Sequence, residues 1–448
     1  MPHQAEASLL SLLHLVRPWL TAPGFWHFLV LAVGWIRSHG RRSVTGALVE
    51  TGVAGRRHHE AFHRFFSRGT WNPDTIGRAI FHRLVAHLEV DSPVRIVIDD
   101  TLARKTGPKV FGIASHLDAV QSTRKRRVFS FGHCWVVLAV VVQVPFSRRL
   151  WALPVLFRLY RRQADCDKNG GVFRKKTELA RDMLDMVAWW TARRVELATD
   201  CAYCNETVLR NLPDHVVVFG AMRLDAALTA LPKPQTTPQR GRPRIRGEEL
   251  PPPEKLAGDT TNPWKTCNVY VYRRELTMRY KSVDAQWYQV TGGRLLRIVL
   301  VPTETGTVRY RAFFCTDPTR APAEIIAGYG GRWSVECIFR DVKQFLGFAD
   351  SQARTQSAVE RVAPFVGYVY SLLVIWCMEG GSSICHVAVP NRPWYPNKQC
   401  LSFEDILRGA CRVTAAWRID DLAAKISNLP KIESRVGPRS KDRFKTAA

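Results

Sequence analysis

Apolar positions recur at helical spacing through Leu9–Trp19, Phe25–Ser38 and Thr75–Leu88, and Ser43–Phe66 reads as two short helices around Thr51 and Gly52. From Val94 the period changes. Val94–Asp99 is a short β-branched run that closes on two carboxylates, Asp99 and Asp100. Val128–Val144 and Leu150–Phe157 are apolar along most of their length, as strands covered on both faces are. Lys175–Ala192 returns to helical spacing through Leu179, Met183, Met186 and Trp190. Val195–Ala198 is a further strand ending at Asp200, Tyr203–Leu212 is helical, and Val216–Met222 is a strand again. The order of three strands, helix, strand, helix, strand predicts an α/β fold. Three antiparallel strands are extended by parallel crossovers into a mixed sheet flanked by helices.

Residues 231–262 break the pattern with Pro, Gly, Arg and Lys. Short alternating runs follow at Cys267–Tyr272, Leu276–Lys281, Trp287–Thr291, Leu295–Val301 and Tyr310–Phe314, and a helix resumes at Ala323. The expected organisation is a helical domain over 1–90, the first part of the core over 93–228, and a linker with an all-β insertion over 229–320. The second part of the core then occupies 321–380, and a helical segment (Phe403–Trp417) with a basic tail occupies 381–448. Val362–Met378 is the most apolar stretch, but Pro364, Gly367 and Ser371 interrupt it, so a core helix is expected rather than a membrane span. No charged segment leading into an apolar run with a small-residue cleavage site opens the chain, so secretion is not expected.

Charge sharpens this picture. The 448 residues carry 65 Lys and Arg against 39 Asp and Glu, a net +26, and most of the cations are Arg. An excess of that size attracts polyanions, and the planar guanidinium suits phosphate. Nucleic acid is the expected partner. The basic positions of the N-terminal helices (Arg41, Arg42, Arg56, Arg57, Arg64) cluster near turns, which suits a DNA-binding helical domain. Eleven cysteines with no framework spacing point to reduced thiols in a cytosol.

Asp99 and Asp200 each close a strand, and the expected strand order makes those two strand ends neighbours at the sheet edge where α/β folds collect ligands. A turn or helix-cap role explains either one alone; together they suit a metal. The helix expected from Ala323 to Phe348 adds a third carboxylate. Taken as continuous, it places Tyr329, Arg332, Glu336 and Lys343 in one stripe about 60° wide, with Val335, Ile338, Phe339, Val342 and Phe345 opposite. Three carboxylates on two strand ends and a helix are the oxygen donors that a pair of hard divalent cations requires for phosphoryl transfer.

Tyr329-x2-Arg332-x3-Glu336-x6-Lys343 resembles the Tyr-Arg-Glu-Lys signature of bacterial insertion-sequence DDE transposases. The run Ile96 to Thr101 with Lys105-x-Gly107 is similar to that family's first-Asp strand, and Asp200-x2-Tyr203 to its second-Asp block. The resemblance spans about residues 40–380. It implies an RNase H-like catalytic core, two Mg2+ (or Mn2+) ions held by Asp99, Asp200 and Glu336, and contacts from Tyr329, Arg332 and Lys343 to transposon-end DNA. It further implies double-stranded DNA as partner and substrate, a homodimer on that DNA, and a bacterial cytoplasm with the nucleoid as the place of action. The family's Asp-x-Thr pattern points to Asp99 as the first carboxylate, and strand geometry leaves Asp100 as the alternative. A structure-specific nuclease of the same fold that does not join strands, and a catalytically inactive DNA-binding relic, are the competing readings.

Other signals carry less. His59-Glu60-x-x-His63 has zinc-hydrolase spacing but no third ligand, and Cys201-x2-Cys204 has no second pair. Arg240 and Arg242 in a Pro-rich loop resemble the core of a minor-groove hook. Arg124–Arg127 adds to the electrostatic footprint.

Overall fold

The structure is a computed structural model that describes residues 2–107, 109–123, 125–233, 244–271, 274–303, 309–384, 389–415 and 417; of 2–7 and 381–384 only the backbone is described. Arg124, Arg240, Arg242 and most of the basic tail lie outside the described residues.

Helix α1 (Pro2–Leu13) runs into a 3-10 turn (His14–Trp19) and is followed by α2 (Ala22–Arg37), α3 (Val44–Glu50), α4 (His59–Ser67) and α5 (Pro73–Val85). Their starts are set by local chemistry. Thr21, Ser43 and Asn72 each accept a backbone N–H of the first turn, and proline stands in the first turn of α2 and α5, where no N–H is needed. Every residue from Phe28 to Ile36 is buried, so α2 is a core helix on all sides. The N-terminal helices share one hydrophobic core with the sheet and pack on two later helices, α13 (Gln356–Ile384) and α14 (Phe403–Ala415).

The sheet begins with β1 (Val94–Arg104), β2 (Ala114–Leu117), β3 (Phe129–Gln143) and β4 (Leu150–Tyr160). After α6 (Gln163–Asn169) and α7 (Lys176–Trp190) come β5 (Val195–Thr199), α8 (Glu206–Leu209) and β6 (Val216–Met222). β3 pairs antiparallel with β1, β2 and β4, whereas β5 lies parallel to β1 and β6 parallel to β5. Three antiparallel strands extended by two parallel ones is the order the hydrophobic pattern predicts. The β-rich segment then continues the same sheet. β12 (Tyr310–Cys315) pairs with β6, and β11 (Leu295–Pro302) and β10 (Arg274–Gln286) follow outward. β10 also pairs with β7 (Leu228–Thr229) and β9 (Lys265–Val271), and β7 with β8 (Glu249–Leu250). The small helices α9 (Pro253–Gly258) and α10 (Tyr288–Thr291) lie along this extension.

Several expectations are corrected here. Trp287–Thr291 is not a strand: Thr291 turns its hydroxyl back to the Trp287 carbonyl, and the chain leaves through Gly292 at a φ of +68°. β1 does not stop at Asp99, because β3 is long enough to pair with it as far as Arg104 opposite Gly132. The helix expected over Ala323–Phe348 is two helices, α11 (Pro322–Gly330) and α12 (Trp333–Phe345). Between them the backbone tightens to i, i−3 bonds, Arg332 N–H to Tyr329 O and Val335 N–H to Arg332 O, both at 3.0 Å, directly after the Gly330-Gly331 pair. The residue type of Trp135, Trp151, Trp189 and Trp190 predicts core positions for all four, but Trp189 is exposed, with the Arg78 guanidinium 4.9 Å over its ring.

α13 contains the stretch Gln356–Gly380, long and apolar enough to cross a membrane, yet 89% of its most apolar window is buried within the fold. Its polar groups find partners there: Tyr368 donates to Pro73 O at 2.9 Å and Ser371 to Pro154 O at 2.9 Å. The packing of α5 on β4 leaves no room at Gly77, where an added Cβ falls 1.9 Å from Val155 O. Gly77→Ala is therefore expected to cost about 3 kcal/mol, seen as a lowered Tm; an unchanged Tm would contradict this packing.

Candidate active site

The parallel pair β1 and β5 places the first two carboxylates. Their last paired residues are Ile98 and Thr199, so Asp99 and Asp200 stand one step further at adjacent positions of the sheet. Asp200 begins a 3-10 turn (Cys201–Tyr203), and its carboxylate accepts the Ala202 N–H at 2.9 Å. This is the cap role expected of a lone Asp, and it leaves oxygen lone pairs free. Asp99 is largely buried, and its carboxyl is pushed up to about 7 by burial and by the Asp200 carboxylate beside it, with Arg332 opposing in part. The Asp200 carboxyl is raised too, by burial first.

Arg332 brings the third carboxylate into the group. It sits at the α11–α12 junction and forks: one terminal nitrogen donates to Asp99 at 2.9 Å and the other to Glu336 at 2.8 Å. Val335, Ile338 and Val342 anchor α12 in the core on the side away from solvent. A strand, a helix and a half-buried guanidinium thus converge beside Asp200. Among the described residues no three carboxylate, imidazole or thiol groups stand close enough together to hold a metal ion. Here the cation between Asp99 and Glu336 is Arg332.

Asp100 goes elsewhere. Successive strand residues face opposite sides of a sheet, and Asp100 accepts Lys176 Nζ at 2.7 Å, Tyr203 Oη at 2.8 Å and Cys134 Sγ at 3.3 Å. This network ties β1, β3, α7 and the turn after β5 together behind Asp99. Sequence reading misses it: Tyr203 stands in the second-Asp block, but nothing marks Lys176 or Cys134 as its companions.

Tyr329 is half-buried, its ring 4.6 Å from that of Phe313 and 5.9 Å from the Arg332 guanidinium. Lys343 lies two turns beyond Glu336, and burial lowers its ammonium pKa while Asp118 works against that shift. It is therefore apart from the Arg332 fork, near Asp118 and Arg104. Lys105 fastens the turn after α12 to the end of β1 through Ala349 O at 2.6 Å. His59 and His63 share a face of α4, but Glu60 is held by Arg64 at 3.1 Å and no third ligand joins them among the described residues. Cys204 is buried and donates to Asp200 O, Cys201 is exposed, and the described cysteines are all free.

The family described as DDE superfamily endonuclease matches residues 24–293, more than half of the chain. That range includes Asp99 and Asp200 and ends before Arg332 and Glu336. No curated protein matches. Among solved structures, a piggyBac transposase synaptic complex with hairpin DNA, determined by cryo-electron microscopy, is similar at 9% identity and a TM-score of 0.41. That likeness covers 92% of this chain and 74% of that one.

Proposed function

The chain belongs to the DDE superfamily of endonucleases, and from that premise we propose that it is a bacterial insertion-sequence transposase with an RNase H-like core. It cleaves DNA at terminal inverted repeats and joins the freed ends to target DNA. The single observation that carries the reading is the convergence of Asp99 and Glu336 on Arg332 with Asp200 beside them. Asp99 is the first carboxylate in this reading; Asp100 is the acceptor of a separate network.

The donor types suit a hard divalent cation, and Arg332 occupies the place between two of them. The set is all oxygen, and Asp99 resists ionisation because burial and then the Asp200 carboxylate outweigh the Arg332 guanidinium. Asp99, Asp200 and Glu336 would hold Mg2+ or Mn2+, two ions by the family pattern. Bound there, the ions would supply Lewis acidity toward the phosphodiester. The chain's own part is to gather the carboxylates, to hold β1 against α7 through Asp100 and Lys176, and to bring cations to the DNA backbone. Arg332, Tyr329 and Lys343 face the phosphates of the transposon end, with Arg240 and Arg242 as further contacts. Hydrolysis at each end exposes a 3′-hydroxyl, which then attacks a target phosphodiester in a second displacement. Two ends must be held at once, so a homodimer on DNA is the acting form, at the nucleoid in the cytoplasm.

The test is incubation of purified protein with DNA carrying the repeats that flank its gene, in Mg2+ or Mn2+, beside Glu336→Gln. Metal-dependent nicking at the repeat boundary followed by joining to a plasmid, both absent in the variant, is the expected result. Nicking without joining would make the protein a structure-specific nuclease. Binding with no cleavage in either metal would make it a DNA-binding relic.

A further inference from the structure

The hairpin of β2 and the start of β3 projects past the carboxylates and leaves large apolar side chains in solvent. Phe129 is 62% exposed, Phe131 64% and Leu117 51%. Leu117 pairs with Phe129 and Ser115 with Phe131, so the two rings and Leu117 stand on one face of the hairpin. Neither phenylalanine makes a ring contact with another aromatic group among the described residues. Exposed apolar clusters of this kind mark interaction sites.

The surroundings say what partner they suit. Lys125, Arg126 and Arg127 at the hairpin tip are exposed and make no ion pair among the described residues. Arg162 reaches in from the start of α6 to donate to Ser115 O at 3.1 Å. The hairpin's own carboxylate, Asp118, is buried and already taken by Arg104 at 2.8 Å and Ser130 at 2.9 Å. That buried acid, with Ser122 Oγ closing the loop on Val128 N–H at 3.0 Å, makes the hairpin a built platform. Cations without acids beside two free rings complement a polyanion that carries flat apolar faces, which is nucleic acid.

Register then fixes where it would touch. Asp99 pairs with Val137, and residues at even spacing along β3 share a face, so Phe131 and Phe129 lie on the Asp99 side of the sheet. They are six and eight residues further along, roughly 20 and 26 Å at strand rise. That distance corresponds to about six to eight base pairs of duplex.

We propose that the hairpin of β2 and the start of β3 is a DNA contact in which Phe129 and Phe131 insert against bases about six to eight base pairs from the bond held at Asp99, while Lys125, Arg126 and Arg127 hold the adjoining phosphates. The inference rests on the reading of Asp99, Asp200 and Glu336 as the cleavage centre. Apolar side chains that enter a duplex unstack the step they enter, so this contact has a signature separate from cleavage.

The experiment uses the full chain and terminal-repeat duplexes with 2-aminopurine placed at successive positions. Wild type is expected to brighten one position in the stated window. Phe129→Ala/Phe131→Ala should lose that signal and bind at least about tenfold more weakly, with an unchanged Tm because both rings are exposed. Changing Lys125, Arg126 and Arg127 to Gln should lower the salt dependence of binding by about one unit for each phosphate that is no longer neutralised. Silence at every position, or wild-type affinity in the double variant, would overturn the proposal. So would a double variant whose mass in light scattering without DNA differs from wild type, since the face would then belong to a second copy. Binding with brightening but no cleavage would leave the hairpin's role standing and remove the cleavage reading; a wild type that binds no DNA removes both.

Discussion

Asp99→Asn is expected to abolish end cleavage, by about 10^3-fold or more, without loss of stability, whereas Asp100→Asn is expected to lower stability first. The two residues are neighbours with opposite surroundings. Asp99 sits buried beside Asp200, and its carboxyl is raised from 3.8 to about 7. A carboxyl raised on folding binds its proton more tightly in the native state, so its ionisation costs stability. That cost is absent below the unfolded pKa, grows as pH climbs from about 4, and levels off above about 7. Asp99→Asn removes it, so the variant should match wild type at low pH and equal or exceed it at neutral pH. Asp100 is the acceptor for Lys176, Tyr203 and Cys134. Its amide would leave the Lys176 ammonium without a charged partner, about 2 kcal/mol for a pair that retains some solvent. Thermal melts across pH beside a nicking assay separate the two. Equal cleavage loss with equal Tm loss in both variants would contradict the division of roles.

Arg332→Ala carries the second large effect. The guanidinium is the positive charge between Asp99 and Glu336, and its side chain is only 18% exposed. Removing it leaves two carboxylates facing each other beside Asp200, a loss of about 3 kcal/mol in metal-free protein. The same removal clears the space between the donors, so Mn2+ should stabilise Arg332→Ala at lower concentration than it stabilises wild type. Cleavage should still fall, because a fork suited to phosphate is gone. Arg332→Lys keeps charge without the fork and should lie between the two in Tm. A metal-free Arg332→Ala as stable as wild type would show that the bridge does not hold the site together.

How much of this was legible in the chain depends on how local each feature is. The β-branched run into Asp99, the apolar run around Val137 and the strand into Asp200 announced themselves because strand periodicity is local, and their order implied the pairing observed. The β-rich segment was seen as strands, but its attachment to β6 through Phe314 and Gly220 is a pairing across nearly a hundred residues that no local pattern reveals. The split at Arg332 was hidden because two glycines in a helical pattern do not say whether the helix bends or tightens. Spacing placed Arg332 near Glu336, four residues away, yet could not show that the guanidinium also reaches Asp99 on another element. Asp99 and Asp100 were inseparable in sequence for the same reason: the companions of Asp100 come from β3, α7 and the turn after β5. The exposure of Phe129 and Phe131 was equally silent, since their residue type predicts burial.

In the proposed function Asp99, Asp200 and Glu336 hold divalent metal as one centre. The most direct measurement replaces Mg2+ by Fe2+ and maps where ascorbate and peroxide cut the polypeptide. Cuts are expected beside all three residues, suppressed together by excess Mg2+ and by Asp99→Asn. Cuts beside His59 and His63 instead, or beside one carboxylate without the others, would contradict it.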